Sequence, residues 1–253
     1  MTAPRPRTIH DVAAPFENYL FAMPMPEADV CTVCHSSVFD GWTVCYPCNE
    51  QRKKLGITAD AVASVALAPE GDQLARDLYA YKDARIDHDR RQRLIWGLGA
   101  VTYKWLHLHE RCLAKAAGLV SGRFDAITSV PSTSGRVGVH PLETMLTEVM
   151  VGSKKRYASL LSVNRTDLDP RDVVPDRFVA SSGVPANILV VDDSWVSGAK
   201  PQAAATALRV GGAQAVAILT IGRWFKLGYA PNEDWLKAKR TPAWSWNTCC
   251  LHQ

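Results

Sequence analysis

The sequence predicts an α/β fold: a parallel sheet flanked by helices, with a small zinc-ribbon-like module before it. Short apolar stretches alternate with helical segments through most of the chain, and this alternation is typical of a parallel sheet covered by helices. Two Cys-x-x-Cys pairs, Cys31 with Cys34 and Cys45 with Cys48, are separated by ten residues near the N-terminus. That spacing is typical of zinc ribbons.

The chain divides into four predicted regions. Residues 1–28 are rich in Pro and Ala without periodicity and should form an extended arm. We expect the zinc-ribbon-like module over residues 29–56, the main α/β domain over 57–224 and an irregular tail over 225–253.

The composition fits a folded protein outside the membrane. Of its 253 residues 47% are hydrophobic and 21% are charged, which suffices for a full core and one small module. No apolar stretch approaches the 18 or so residues that a membrane span requires. We expect a cytoplasmic, reduced protein, because no secretory signal is visible and the other cysteines lack partner spacing. The net charge of +4 does not by itself indicate a nucleic-acid binder.

The predicted elements alternate along the main domain. We expect strands over residues 63–68, 124–130, 157–163, 187–192 and 215–222. We expect helices over residues 71–81, 90–119, 140–150 and 201–210. The longest helix has apolar residues at the three- and four-residue spacing that an amphipathic helix requires.

One strand ends in a pattern that suits a phosphorylated sugar. Residues 188–191 are apolar, as in a strand buried on both faces of a parallel sheet, and Asp192 and Asp193 follow at its carboxyl end. Open α/β sheets bind ligands at that end. Residues 197–199 are small enough for backbone N–H groups to approach an anion at the N-terminus of the next helix. A ribose phosphate needs carboxylates that accept hydrogen bonds from its hydroxyls and amides that donate hydrogen bonds to its phosphate.

This order of parts resembles the signature with which type I phosphoribosyltransferases bind 5-phosphoribosyl-1-diphosphate (PRPP). In that family two acidic residues after an apolar strand hold the ribose hydroxyls, and a Thr- and Gly-rich loop holds the 5′-phosphate. The resemblance assigns the hydroxyls to Asp192 and Asp193. It assigns the phosphate to the loop residues Ser194, Ser197, Gly198, Ala199 and Lys200.

The chain departs from the family signature at three loop positions. Val196 and Lys200 stand where the family usually has hydroxyl side chains, and Ser194 stands where it is usually apolar. Phosphate binding therefore follows more directly from the resemblance than catalysis does, and Lys200 offers a charge-assisted hydrogen bond in place of a hydroxyl. The alternative interpretation is a strand that ends in two solvated aspartates, with Ser197 as an ordinary helix N-cap.

The four paired cysteines predict a closed metal site. Four thiolates surround one tetrahedral Zn²⁺ at about 2.3 Å each and leave no position for a catalytic water. We therefore expect a structural zinc ion, with the neighbouring His35 as a bystander.

A four-Cys module followed by a phosphoribosyltransferase-like domain resembles the ComF family, which is found in bacterial DNA uptake. Residues 125–131 resemble the first core strand of that family, which ends in Val-Pro, and residues 171–178 resemble its arginine-rich segment. The resemblance implies a type I phosphoribosyltransferase-like fold that binds PRPP with Mg²⁺. The family's characteristic stretch after the first strand is not visible here, where residues 139–142 read Val-His-Pro-Leu.

The resemblance also indicates residues for the diphosphate side of PRPP. The loop after the first core strand supplies Ser132 and Thr133 as hydrogen-bonding groups and Arg136 as a cation. Arg165 and Arg171 belong to the segment that would fold over PRPP and stabilise the departing diphosphate. An ordinary polar turn after the strand is the alternative.

The remaining His, Cys and Trp residues indicate no second metal site. His107 and His109 lie about 200° apart on the long helix, so we expect both at the surface or its boundary. Cys112, Cys249 and Cys250 have no obvious partner spacing. Cys249, Cys250 and His252 are three candidate ligands for a second metal site, but we do not expect one at a fraying terminus. The Trp and Lys residues of the tail suit stacking on unpaired bases or, as we expect, packing against the domain.

The sequence therefore predicts a ComF-like phosphoribosyltransferase, with Asp192, Asp193 and Arg136 as candidate catalytic residues. It would transfer phosphoribosyl from Mg²⁺-bound PRPP to an acceptor by positioning and charge neutralisation, without a covalent residue. The alternative is a non-catalytic protein that senses PRPP or a nucleotide, or that handles single-stranded DNA. The intact acidic pair favours the enzyme, and the altered loop favours the alternative.

Overall fold

The computed structural model describes residues 8–39, 41–133, 138–228, 230–239 and 243–251. Its strands are β1 Ala61–Pro69, β2 Ala126–Ser129, β3 Leu161–Val163, β4 Phe178–Ala180, β5 Asn187–Trp195 and β6 Ala215–Phe225. Four of them form a parallel sheet in the order β1-β6-β5-β2. The other two, β3 and β4, form an antiparallel pair.

Eight α-helices are described along the same residues. They are α1 Ile9–Glu17, α2 Tyr46–Leu55, α3 Gln73–Ala80, α4 His88–Ala116, α5 Pro141–Thr144, α6 Val151–Lys154, α7 Ala199–Val210 and α8 Ala230–Lys239. A π-helical turn, Met145–Val149, lies between α5 and α6. Helix α7 joins β5 to the neighbouring parallel strand β6, as a parallel connection requires.

Side-chain alternation in the central strand β5 places apolar residues in two separate cores. Leu189 and Val191 pack on the face covered by α1, α3 and α4, whereas Ile188 and Val190 pack on the face covered by α7 and the four-Cys segment. All four are fully buried, which is why the strand is apolar on both faces. The predicted parallel sheet flanked by helices is therefore confirmed.

Two helices lie where the sequence predicted irregular chain. Helix α1 occupies the predicted extended arm and begins with a capping box in which Thr8 and Asp11 exchange hydrogen bonds. Helix α8 occupies the predicted irregular tail, and its Trp235 is buried and stacks on Phe225 with ring centroids 5.1 Å apart. Both helices exist because they bury apolar side chains against the main domain.

Two predicted elements are interrupted. Of the predicted strand 157–163, only β3 is a strand, and it pairs with β4 instead of the main sheet. Tyr157 contributes a single parallel bridge to Ile127. The predicted helix 140–150 is broken by the π-helical turn. Within the described part of the chain, no helix is both long enough and apolar enough to cross a membrane.

Candidate functional site

A cavity of about 290 Å³ opens at the carboxyl ends of β2 and β5. Asp192 and Asp193 reach it from β5, Ser132 from the loop after β2, and Arg171 from the segment between β3 and β4. The N-terminus of α7 borders the remaining side. The cavity therefore lies at the edge where open α/β sheets bind ligands.

The two aspartates have unequal environments. Asp193 is buried and forms an ion pair with Lys82, which follows α3. Burial opposes the ionisation of Asp193, but the Lys82 ammonium outweighs it and holds the pKa of this carboxyl below its ordinary value. Burial and the neighbouring Asp193 carboxylate raise the pKa of Asp192 well above its ordinary value. Asp192 is therefore the carboxyl that gains more from a bound cation or a hydroxyl donor.

The loop between β5 and α7 depends on one glycine. Gly198 is the N-cap of α7 and has a φ of 85°, in the left-handed region that favours glycine. A Cβ atom here would lie 2.2 Å from the buried Trp195 indole. Ser197 precedes the N-cap, and its hydroxyl accepts a 3.4 Å hydrogen bond from the Ala199 N–H group. The backbone at the start of α7 can therefore approach an anion closely, although Pro201 offers no N–H group.

Buried groups from two other elements hold this loop. Arg223 of β6 donates hydrogen bonds to the carbonyl oxygens of Trp195, at 3.0 Å, and Val196, at 3.2 Å. Gln51 of α2 donates a hydrogen bond to the Ser197 carbonyl oxygen. Both donors are almost fully buried. The conformation of the loop is therefore fixed without a ligand, which favours tight binding.

Cations outnumber carboxylates among the described residues that line the cavity. Lys200 lies in the first turn of α7, where burial lowers its pKa. Lys82 and Arg171 line the cavity from two other elements. Three cationic side chains therefore face the two aspartates. This balance suits a ligand that carries several negative charges.

The predicted site residues do not all reach the cavity. Ser194, Ser197, Gly198, Ala199 and Lys200 line it together with the residues named above. Among the described residues, neither Thr133 nor Arg165 belongs to the lining. Arg165 pairs instead with Asp167, at 2.8 Å, and with Asp176, at 3.6 Å. Arg136 lies outside the described residues.

The sequence analysis missed one cation that lines the cavity and the role of another that lies beside it. Lys82 lines the cavity and has no motif around it. Arg177 belongs to the predicted arginine-rich segment, but its fully buried side chain donates hydrogen bonds to the carbonyl oxygens of Asp169, at 2.7 Å, and Asp172, at 2.8 Å. Burial lowers the pKa of Arg177. These bonds shape the segment that carries Arg171 to the cavity.

The four paired cysteines form one cluster. Their Sγ atoms all lie within 4.8 Å of one another, and those of Cys34 and Cys45 are 3.6 Å apart. The Cys45 N–H group donates a 3.3 Å hydrogen bond to the Cys31 sulfur, and Arg223 Nη2 lies 3.5 Å from the Cys34 sulfur. Both donors stabilise thiolates. The cluster can therefore hold a structural metal ion such as zinc.

The four thiols of the cluster affect one another's ionisation. Hydrogen bonds from the Cys34, Cys45 and Cys48 thiols lower the pKa of Cys31. Hydrogen bonds with the Cys31, Cys34 and Cys45 thiols, together with burial, raise the pKa of Cys48. Four thiolates whose sulfur atoms lie within 4.8 Å of one another repel each other and can coexist only around a positive ion.

Comparison of the chain with known protein families, curated proteins and solved structures finds no match in any of the three. The function of the protein is therefore to be inferred from the chemistry of its site.

Proposed function

We propose that the protein binds PRPP with Mg²⁺, or a nucleotide 5′-phosphate, in the cavity at the carboxyl ends of β2 and β5. One observation carries the proposal: the carboxylates of Asp192 and Asp193 and the N-terminus of α7 border the same cavity. A ribose phosphate offers hydroxyl donors and a dianion, and the cavity has a partner for each. We also propose that the fold is type I phosphoribosyltransferase-like and that the chain belongs to the ComF family.

The two ends of the ligand have different partners in the proposed complex. Ribose hydroxyls donate hydrogen bonds to Asp192 and Asp193. The 5′-phosphate accepts hydrogen bonds from the backbone N–H groups of Gly198, Ala199 and Lys200, where the helix dipole adds positive potential. The Lys200 ammonium supplies a charge-assisted hydrogen bond in place of the hydroxyl that the family has at this position.

The diphosphate lies beside Ser132 and Arg171 in this proposal. Both residues line the cavity. Thr133 and Arg136 stay predicted diphosphate residues. Arg165, which pairs with Asp167 outside the lining, would reach the diphosphate only if its segment moved. A Mg²⁺ ion bound with PRPP would reduce the negative charge of the diphosphate, and the lining cations would supply the rest.

The proposed reaction is phosphoribosyl transfer. A lone pair of the acceptor forms a bond to the anomeric carbon while the bond from that carbon to the diphosphate oxygen breaks. The electron pair of the broken bond leaves with diphosphate. The residues of this chain position the ribose and neutralise the leaving group, so no covalent protein intermediate is needed.

A second candidate is a non-catalytic sensor of PRPP or a nucleotide. The ion pair between Lys82 and Asp193 supports it, because Lys82 already neutralises a carboxylate that would otherwise attract Mg²⁺. Val196 and Lys200, in place of loop hydroxyls, point the same way. Such a protein would bind the sugar phosphate in the same cavity and would release no diphosphate.

We further propose that the four-Cys cluster binds a structural zinc ion. Among its described neighbours, Arg223 connects this ion to the phosphate loop, because one guanidinium contacts both the Cys34 sulfur and the loop carbonyls. Zinc would thus stabilise the module and the loop together. The ion takes no part in the transfer.

Calorimetric titration with PRPP and Mg²⁺ tests the site. Asp192→Asn removes one carboxylate that accepts ribose hydroxyls, and we expect binding to weaken by roughly 1.5–3 kcal/mol, the range for hydrogen bonds to charged groups. Asp125→Asn is the matched control, because Asp125 binds the Asn187 N–H group at the opposite edge of the sheet. No binding by the parent protein, or equal affinity in Asp192→Asn, would refute the sugar-phosphate site.

A diphosphate-release assay with a panel of bases separates the two candidates. Release that requires an acceptor and is lost in Asp192→Asn supports the transferase. PRPP binding without release supports the sensor. Binding of single-stranded DNA without any affinity for PRPP would contradict both and favour a nucleic-acid function.

A further inference from the structure

A second group of metal-binding side chains lies on the opposite side of the sheet from the four-Cys cluster. His109 and Cys112 come from α4, and Cys249 comes from the C-terminal segment, residues 243–251. One ligand atom from each lies within 4.8 Å of the other two. His109 and Cys249 are buried, with 3% and 6% of their surface exposed. The expectation that His109 lies at the surface or its boundary is therefore wrong.

The spacing of the three residues explains why the sequence did not reveal the group. His109 and Cys112 are three positions apart on one helix and so share a face. Cys249 reaches them only through the fold. All seven cysteines lie within the described residues, and none forms a disulfide there.

The His109 ring is oriented as a metal ligand would be. Its Nε2 atom lies 2.8 Å from the Trp246 carbonyl oxygen, which can only accept a hydrogen bond, so Nε2 carries the proton. In the neutral ring Nδ1 then carries the lone pair, and it lies 4.0 Å from the Cys112 sulfur. A histidine that binds a metal with one nitrogen usually donates the other N–H to a carbonyl or carboxylate. Trp105 packs against the His109 ring, with ring centroids 5.2 Å apart, and limits the rotation of that ring.

We propose that His109, Cys112 and Cys249 bind a second Zn²⁺ ion, which fastens the C-terminal segment to α4. Two thiolates and an imidazole are ligands that zinc prefers, at about 2.3 Å for sulfur and 2.0–2.1 Å for nitrogen. The described residues supply three ligands, and a fourth ligand from outside this group completes the tetrahedral coordination of the ion. Binding releases the two thiol protons to solvent.

The surrounding contacts show what the second zinc ion would stabilise. Glu17 at the end of α1 pairs with Lys104 of α4 at 3.0 Å and accepts a hydrogen bond from the Trp246 indole. The Lys104 ammonium also lies 4.0 Å from the centre of the Trp246 ring. Both end regions of the described chain therefore meet on α4 beside the proposed site. The ion would lock that junction.

Metal counting on the full chain tests this proposal. Protein loaded with Co²⁺ under reducing, anaerobic conditions should hold two equivalents, with thiolate-to-cobalt absorption from six thiolates. Cys249→Ser and His109→Gln should each hold one equivalent and keep the absorption of the four-Cys cluster, which reports that the variants are folded. Cys250→Ala is the matched control, because its sulfur is the neighbour of the proposed ligand, and it should keep two equivalents.

Three results would overturn the second site. One is a single equivalent in the parent protein. Another is an unchanged second equivalent in both ligand variants. The third is a disulfide between Cys112 and Cys249, found by mass spectrometry in protein purified without oxidant, which would make the pair a covalent link instead of a metal site. None of these results depends on whether PRPP binds.

Discussion

Two of the loops that border the cavity are held in different ways. Arg223 and Gln51, which belong to distant elements and are almost fully buried, bind the loop between β5 and α7. The segment between β3 and β4 is held mainly by its own residues. There, Arg177 donates hydrogen bonds to nearby carbonyl oxygens, and Arg165 pairs with Asp167 on the surface.

This difference indicates separate roles for the loops. The first loop is joined to the four-Cys cluster through Arg223, so its geometry depends on the core of the molecule. The second has few long-range contacts, and such segments can change conformation at low cost. We therefore expect the first loop to fix the phosphate and the second to adapt around the rest of the ligand.

Arg223→Met should have the largest effect. The change leaves the Trp195 and Val196 carbonyl groups without their buried donor and removes the positive charge beside the Cys34 sulfur. Breaking a buried charged pair typically costs about 3–5 kcal/mol. We expect a loss of this size in the free energy of unfolding, measured by urea denaturation of zinc-loaded protein.

Arg209→Met is the matched control for that experiment. Arg209 lies near the end of α7, is about a quarter exposed and pairs with Asp60 at 3.6 Å. Its loss should cost less than about 1 kcal/mol, as for other partly exposed ion pairs. Equal costs for the two variants would mean that Arg223 does not brace the loop.

Alanine at Gly198 should have the next largest effect. Gly198 and Gly212 both have a positive φ, 85° and 109°, so alanine at either position costs about 1–2 kcal/mol in backbone strain. Only at Gly198 would the new Cβ meet the Trp195 indole, since nothing lies within 4 Å at Gly212. Gly198→Ala should therefore destabilise the protein more.

Affinity for PRPP tests whether that strain reaches the site. We expect Gly198→Ala to weaken binding by about tenfold, because the amides at the start of α7 move. Gly212→Ala should bind as the parent protein does. If the two variants bind equally well in calorimetric titrations, the loop does not hold the phosphate.

The acidic pair predicts pH effects of opposite sign. The pKa of Asp193 is lowered in the folded protein. Its contribution to the free energy of unfolding is therefore present above the ordinary carboxyl pKa and is lost as the pH falls through the lowered value. The pKa of Asp192 is raised, so its contribution is present at low pH and is lost as the pH rises through the raised value.

Unfolding at several pH values measures both effects. As the pH rises from acid to neutral, Asp193→Asn should become less stable than the parent protein. Over the same range Asp192→Asn should gain stability relative to the parent. A shift of the same sign in both variants would show that Lys82 does not distinguish the two carboxylates.

The features that could be predicted from the sequence are those whose residues lie next to one another along the chain. The apolar residues before Asp192 identify a buried strand, and two Cys-x-x-Cys pairs identify a metal cluster, because each pattern lies within one short stretch. Lys82 and Arg223 carry no such pattern, and the resemblance of residues 171–178 to an arginine-rich segment did not indicate what Arg177 contacts. Their roles arise from contacts with residues far along the chain or with backbone carbonyls, which a local pattern does not encode.

The missed helix α1 has a different cause. It contains Pro15, which interrupts a helical pattern, and the helix is short enough to need packing for stability. The capping box from Thr8 to Asp11 and the apolar spacing of Ala13 and Phe16 were the available signals. They would have placed a helix in the predicted arm.

Arg165→Ala should have the smallest effect and tests the adaptable segment. The ion pairs of Arg165 are exposed, and such pairs add little to stability. Arg171 lines the cavity, so Arg171→Ala should weaken PRPP binding, and more strongly at low salt, where a lost cation is less screened. Calorimetric titration at two salt concentrations compares the variants.

The relative effects of the two arginines reveal how the segment moves. If only Arg171→Ala weakens binding, the segment binds PRPP in the conformation described here, with Arg165 still paired to Asp167. Equal weakening by both variants would contradict that expectation. It would require the Arg165 ion pairs to break as the segment closes over the diphosphate, and the energy of breaking them would then reduce the affinity of the parent protein. Asp167→Asn would in that case strengthen binding, because it weakens the pair that must open.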